Sequence, residues 1–158
     1  MYFQSARSDK PFSHWLRLLS FTGLIFFTSH SIGQPSAKEQ ALLSCPDKPN
    51  CVSSLFTTGQ HAINPLNLQG QSTVAIRTRL LNWLHKQPGA TVVEEDKTVL
   101  KAEFRSRVFG FIDDLILIIE PDGRVDVSSA SRTGYYDFGV NRKRVEALRA
   151  SLHTTTDQ

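Results

Sequence analysis

Residues 114–130 read DLILIIEPDGRVDVSSA, and this stretch decides the fold. Its aliphatic run, Leu115 to Ile119, is typical of a strand buried in the middle of a sheet. Pro121-Asp122-Gly123 is a strong turn signal, because proline presets one turn position and glycine accepts positive φ. Arg124 to Ala130 should then return alongside the first strand. The segment therefore predicts an antiparallel hairpin at the centre of a sheet.

Two further strands precede this hairpin. Residues 98–108 alternate in character, with one face made of Leu100, Ala102, Phe104, Ser106 and Val108 and charged side chains on the other. A turn separates this segment from residues 90–95, which form the first predicted strand. The sheet should therefore contain about four antiparallel strands.

Helical periodicity flanks the strands on both sides. Ser72 to Lys86 carries an apolar stripe, with Ser72 as a suitable N-cap. Asn141 to Leu152 carries a second stripe, with Asn141 as its predicted N-cap. The sequence predicts an α+β fold: an antiparallel sheet of about four strands with two helices packed on one face.

The first 33 residues have the pattern of a secretory signal peptide. Lys10 and Arg17 precede the uncharged apolar run Leu18 to Phe27, and Ser31-Ile32-Gly33 suits cleavage before Gln34. The run is too short to span a bilayer, although retention as an uncleaved anchor is the alternative. We expect an exported protein, periplasmic or envelope-associated, with no transmembrane span after cleavage.

Residues 34–158 should form one domain. Residues 34–71 are rich in Ser, Gln, Asn and Pro, and predict a loop-rich arm with little regular structure. The α+β core should then occupy residues 72–158.

The arm contains both cysteines, Cys45 and Cys51. A close pair in an exported chain predicts a disulfide that fixes the shape of the loop. Free thiols are one alternative, and a metal site with His61 is another. Because structural zinc sites usually have four ligands in tighter pairs, we predict no metal. We also expect no cofactor.

The charge of the chain argues against nucleic-acid binding. The formal net charge is +3, but from Gln34 onward 15 basic residues face 14 acidic ones. The mature domain is therefore almost neutral, without a broad basic surface for nucleic acid or an anionic membrane.

Polar residues gather where the predicted strands end, in segments 104–106, 110–114 and 128–142. Glycines at 134 and 139 should occupy tight or positive-φ positions there. The candidate site residues from these segments, with one histidine from the arm, are Arg105, Ser106, Asp113, Asp114, Ser129, Ser131, Arg132, Tyr135, Asp137, Asn141, Arg142 and His61.

The same segments resemble a known family. Residues 45–54, residues 61–66, the Arg105-Ser106 pair, residues 109–114 and residues 129–144 together resemble the domain-of-unknown-function family 1499. The family's last strand often carries arginine where this chain has Ser128. The resemblance spans about residues 45–152 and implies an exported or envelope-associated domain with no established reaction.

Three functions are compatible with these residues. The first is a non-catalytic binding or accessory module for a polar or anionic ligand or an envelope protein. It would use Arg132, Arg142 and the unpaired N–H groups at the start of the last helix. The same arginines and aspartates can instead brace the strand-to-helix corner.

The second function is a hydrolase or transferase that uses Asp113, Asp114 or Asp137 with His61. Asp113 and Asp114 are adjacent in a strand, so their side chains should point to opposite faces and cannot form a dyad together. The third is a structural or assembly protein that acts through an exposed apolar patch and the arm.

Overall fold

The computed structural model describes residue 1 and residues 36–154. The predicted leader, apart from residue 1, lies outside these residues. The elements in chain order are α1 (Ala37–Leu43), β1 (Cys51–Ser53), β2 (Leu66–Asn67), α2 (Thr73–Lys86), β3 (Ala90–Glu95), β4 (Val99–Arg105), β5 (Ile112–Ile119), β6 (Arg124–Ser131) and α3 (Val140–Thr154). The α+β class is confirmed.

The sheet has six strands, and all pairs between them are antiparallel. Its order is β1-β6-β5-β4-β3, and β2 also pairs with β6. The four predicted strands are all present. The predicted count of about four is nevertheless too low, because β1 and β2 come from the arm.

The arm therefore contains regular structure, contrary to the prediction. Its two strands have three and two residues, too few to show an alternating pattern in sequence. Helix α1 begins with a capping box, in which Ser36 accepts from the Glu39 backbone and Glu39 accepts from the Ser36 backbone.

The central hairpin forms as the sequence predicts. Leu117 pairs with Val127 across β5 and β6, and both are fully buried. Gly123 in the turn has a φ of 86°, and a Cβ there would lie 2.8 Å from the Leu68 carbonyl oxygen. This turn therefore needs glycine for its backbone conformation and for the close approach of the arm.

Both long helices contribute to the same hydrophobic core as the sheet. Ile76, Leu80 and Leu84 come from α2, and Val145, Leu148 and Leu152 come from α3. Ser72 caps α2 as predicted, because its Oγ accepts from the Ala75 backbone N–H. Residues Gln34–Gln158 form one compact unit.

Cys45 and Cys51 form the predicted disulfide, with an S–S distance of 2.04 Å. The bond ties the loop of residues 45–50 to the first residue of β1. Cys51 pairs with Ala130 near the end of β6, so the disulfide holds this loop beside that end of the strand. Within residues 36–154, no helix is long and apolar enough to cross a bilayer.

Replacing both cysteines with serine should lower the free energy of unfolding by about 2 kcal/mol, since the open loop has more freedom in the unfolded chain. Denaturant titration measures this loss, and reduction of the unmodified protein should produce the same loss. Hydrogen exchange at Asn50 should accelerate while exchange at Leu117 changes little. Equal acceleration at both sites would contradict a local role for the bond.

Candidate functional site

Three loops meet at one end of the sheet. Asp113 at the start of β5 pairs with Ser131 at the end of β6, and Cys51 at the start of β1 pairs with Ala130. The loops of residues 45–50, 106–111 and 132–139 therefore leave the sheet at the same end. Asn50 connects two of them by donating a 2.9 Å hydrogen bond to the Gly134 carbonyl.

Arg144 and Asp113 form a nearly buried ion pair at this end. The Arg144 Nη2 donates to Asp113 Oδ2 at 2.7 Å, and the two side chains are only 10% and 14% exposed. The Arg144 Nη1 donates to Ser129 Oγ at 2.9 Å and to Asn141 Oδ1 at 2.5 Å. Its guanidinium also lies 4.3 Å from the centre of the Phe104 ring. The Asp113 carboxylate, these hydrogen bonds and the face of the Phe104 ring together compensate for the burial of the Arg144 guanidinium.

Asn141 connects this ion pair to the disulfide loop. It is fully buried, and its Nδ2 lies within hydrogen-bond distance of the Asn50 carbonyl, Ser131 Oγ and Asp137 Oδ2. Ser131 Oγ in turn donates to Asp113 Oδ1 at 2.6 Å. The network therefore joins the arm, β5, β6 and α3.

Asp137, and not Asn141, caps α3. Its Oδ1 accepts from the Gly139 backbone N–H and its Oδ2 from the Asn141 backbone N–H, each at 2.9 Å. The prediction that Asn141 is the N-cap is wrong, because the helix begins at Val140, so Asn141 lies inside its first turn, and its side chain is buried. Gly134 and Gly139 have the predicted positive φ. The carboxylate also occupies N–H groups that were expected to be free for an anion at the helix start.

Arg132 lies outside this network. Its Nε and Nη2 donate to the two carboxylate oxygens of Asp114 at 2.8 and 2.7 Å, and Nη2 also donates to Glu103 at 2.5 Å. The hydrogen bonds to Asp114 and then to Glu103 raise the pKa of the Arg132 guanidinium above its ordinary value. Asp114 faces Glu103 across the strands whereas Asp113 faces Phe104, so the two aspartates point to opposite faces as predicted.

Three other candidates also lie outside the buried network. Arg105 donates a 3.5 Å hydrogen bond to the Gly110 carbonyl. Ser106 Oγ accepts from the backbone N–H groups of residues 109 and 111 and so fixes its own turn. Tyr135 is 71% exposed.

His61 does not contact an aspartate. Its Nδ1 lies 3.0 Å from the Cys51 carbonyl oxygen, and its Nε2 lies 3.2 Å from the Gln60 Nε2. Asp113, Asp114 and Asp137 all accept hydrogen bonds from other groups. The described part of the chain therefore brings together no His–Asp pair, and it has no group of three or more His, Cys, Asp or Glu placed to hold a metal.

A cavity of about 280 Å³ lies between the disulfide loop and the start of α3. Its lining residues are Pro49, Cys51, Val52, Gln60, Tyr136, Asp137, Gly139 and Arg142. Arg142 Nη2 donates to the Gln60 carbonyl at 2.9 Å. Among residues 36–154, no carboxylate lies within salt-bridge distance of this guanidinium. Arg142 and Asp137 are the sequence candidates that line the cavity.

Sequence reasoning missed Arg144 and Asn50 as members of the polar network. Arg144 precedes Leu148 by four residues and follows Asn141 by three, so the helical period places it on the buried face. This spacing could have identified Arg144 from the sequence. No comparable pattern points to Asn50, because its contacts with Gly134 and Asn141 join residues more than 80 positions apart.

The structure thus defines a disulfide-bearing α+β domain with a buried polar network and a small cavity beside an arginine. A family model described as a protein of unknown function (DUF1499) matches residues 41–152, and the chain belongs to this family. The resemblance in the sequence is confirmed. No curated protein and no solved structure matches the chain.

Replacing Arg144 with alanine should lower the free energy of unfolding by about 3 kcal/mol, because Asp113 would stay buried without its charge partner. Thermal and denaturant melts measure the loss. Arg132→Ala is the matched control, because Arg132 also binds carboxylates but on an exposed face, where ion pairs contribute little. Equal losses in the two variants would show that the buried pair has no special role.

Proposed function

We propose that this chain is an exported, non-catalytic binding module that holds a small anionic ligand in the cavity beside Arg142. One observation carries the proposal: Arg142 lines the cavity without a carboxylate partner among the described residues. Arg132 and Arg144, by contrast, are neutralised within the domain.

The charge of Arg142 is the main attraction for such a ligand. Its contact with the Gln60 carbonyl orients the guanidinium but leaves its charge uncompensated. Asp137 also lines the cavity, but its carboxylate is bonded to the N–H groups that begin α3. An anion can therefore form charge-assisted hydrogen bonds with Arg142, which are stronger than neutral ones.

The cavity favours a small ligand with one less polar side. At about 280 Å³ it lies near the lower limit of pockets that hold small molecules. Pro49, Val52 and the Tyr136 ring provide apolar contacts, whereas Gln60 and Arg142 provide polar ones. A phosphate monoester or a small carboxylic acid has this combination of charge and size.

The environment of the disulfide supports export as the setting. Disulfides persist in oxidising compartments such as the periplasm, and Cys45–Cys51 is compatible with that location. The signal-peptide pattern of residues 1–33 points in the same direction.

Mass spectrometry of protein from its own host, under native conditions, should find the chain beginning at Gln34 and identify a co-purifying anion.

Titration of isotope-labelled protein with inorganic phosphate should shift the NMR signals of Gln60, Tyr136 and Arg142. Arg142→Gln should weaken this binding roughly tenfold or more, because a charge-assisted contact is lost. Its unfolding free energy should change little, since the side chain has no carboxylate partner within residues 36–154.

Arg132→Gln is the matched control for charge, because it removes an arginine that does not line the cavity. It should leave the phosphate affinity unchanged. Equal weakening by both variants would mean that phosphate responds to net charge alone. NMR shifts confined to another surface would assign the phosphate site to that surface.

A further inference from the structure

Exposed apolar side chains are concentrated at the sheet end that carries the network. Of the eleven large hydrophobic residues exposed in the described chain, seven lie on its loops or at the start of α3. They are Val108, Phe109, Phe111, Tyr135, Tyr136, Phe138 and Val140. Exposed apolar side chains that gather at one place on a protein often mark an interaction site, so we treat this set as a candidate interaction surface. We call it the aromatic end.

The loops hold these side chains in defined positions. The Ser106 Oγ accepts from the backbone N–H groups of Phe109 and Phe111, and the rings of these two residues stack at 5.5 Å between centres. In the neighbouring loop, Tyr136 and Phe138 pack edge to face at 5.2 Å. Each loop therefore presents a prearranged aromatic pair to solvent.

The backbone of Phe138 is strained. Its φ is 55°, and it is the only residue besides glycine with positive φ in the described chain. A bulky side chain is unfavourable in this conformation. The Phe138 side chain is also 78% exposed, so burial within the domain does not compensate. Such strain is often retained where it serves an external contact.

Four cations of this end have no acidic partner among the described residues. Arg105 and Arg142 donate only to carbonyl groups, and Arg107 and Lys143 make no side-chain hydrogen bond or ion pair with the described residues. The acids of this end are fewer than its cations: Glu103 and Asp114 share Arg132, Asp113 pairs with Arg144, and Asp137 accepts from backbone N–H groups. On the disulfide loop, Asp47 and Lys48 offset each other. The near-neutral total charge therefore conceals a local excess of positive charge.

We propose that the aromatic end docks on an anionic lipid membrane. Phe109 and Phe138 are 74% and 78% exposed, so they protrude and can enter the interface between headgroups and acyl chains. Tyr135 and Tyr136 suit the headgroup level, where aromatic rings with a polar tip accumulate. Arg105, Arg107 and Lys143 then face the lipid phosphates, and anionic lipids add to their attraction.

Vesicle flotation tests this surface with residues 34–158, the compact unit that contains the described core. The domain should float with vesicles of phosphatidylcholine and phosphatidylglycerol, and less with phosphatidylcholine alone. High salt should weaken the binding, because it screens exposed charges.

Phe109→Ser with Phe111→Ser should weaken vesicle binding roughly tenfold or more through lost apolar burial. Arg107→Gln should weaken it roughly fivefold on the mixed vesicles.

The matched control is Val74→Ser with Val93→Ser, which removes two exposed apolar side chains away from the aromatic end. This variant should bind vesicles like the unmodified domain. All variants should keep the melting temperature, since the replaced side chains are exposed. Phosphate binding near Arg142 should also survive in the Phe109 and Phe111 variant, because neither residue lines the cavity.

Two results would overturn the proposal. One is an unmodified domain that fails to float with the anionic vesicles. The other is vesicle binding that the Phe109 and Phe111 substitutions leave intact. Self-association that these substitutions abolish, without any flotation, would assign the aromatic end to a second copy of the chain.

Discussion

The buried ion pair between Arg144 and Asp113 is the constraint on which the geometry of the site depends. A charge removed from water must find compensating partners, and here they come from β4, β5, β6 and α3 together. No single element can satisfy the pair alone. The last strand and the last helix must therefore meet at one angle and in one register, and the disulfide loop is joined to them through Asn141.

The buried ion pair also determines which arginine of α3 can contact a ligand. Arg142 and Arg144 are two residues apart on α3, so the helical period directs their side chains about 160° apart around the axis. When Arg144 turns inward to Asp113, Arg142 turns toward the disulfide loop and the cavity. Asp137 fixes the first turn that sets both directions. The position of Arg142 beside the cavity is thus a geometric consequence of the buried pair.

Local patterns in the sequence predicted most of the framework. The aliphatic run of β5, the turn at Gly123, the Ser72 cap and the disulfide all depend on residues close together in the chain. The failures concern long-range contacts. β1 and β2 exist because β6 offers hydrogen-bonding groups to short segments of the arm. Asn141 suits an N-cap by residue type, but it lies inside the helix and the network buries it, while Asp137 accepts from the N–H groups at the helix start.

The cavity and the aromatic end share one residue, Tyr136. Tyr136 lines the cavity and also packs against Phe138 at the aromatic end, so the cavity lies beside the proposed membrane contact. Near lipid, water is depleted and electrostatic attraction strengthens. Because an anionic surface repels soluble anions, this gain would apply to an anion that already belongs to the layer of lipid headgroups. In the proposed contact, the exposed rings would set the distance from the bilayer, while the buried ion pair sets the direction of the Arg142 charge. Together these two features favour a ligand present at the level of the lipid headgroups.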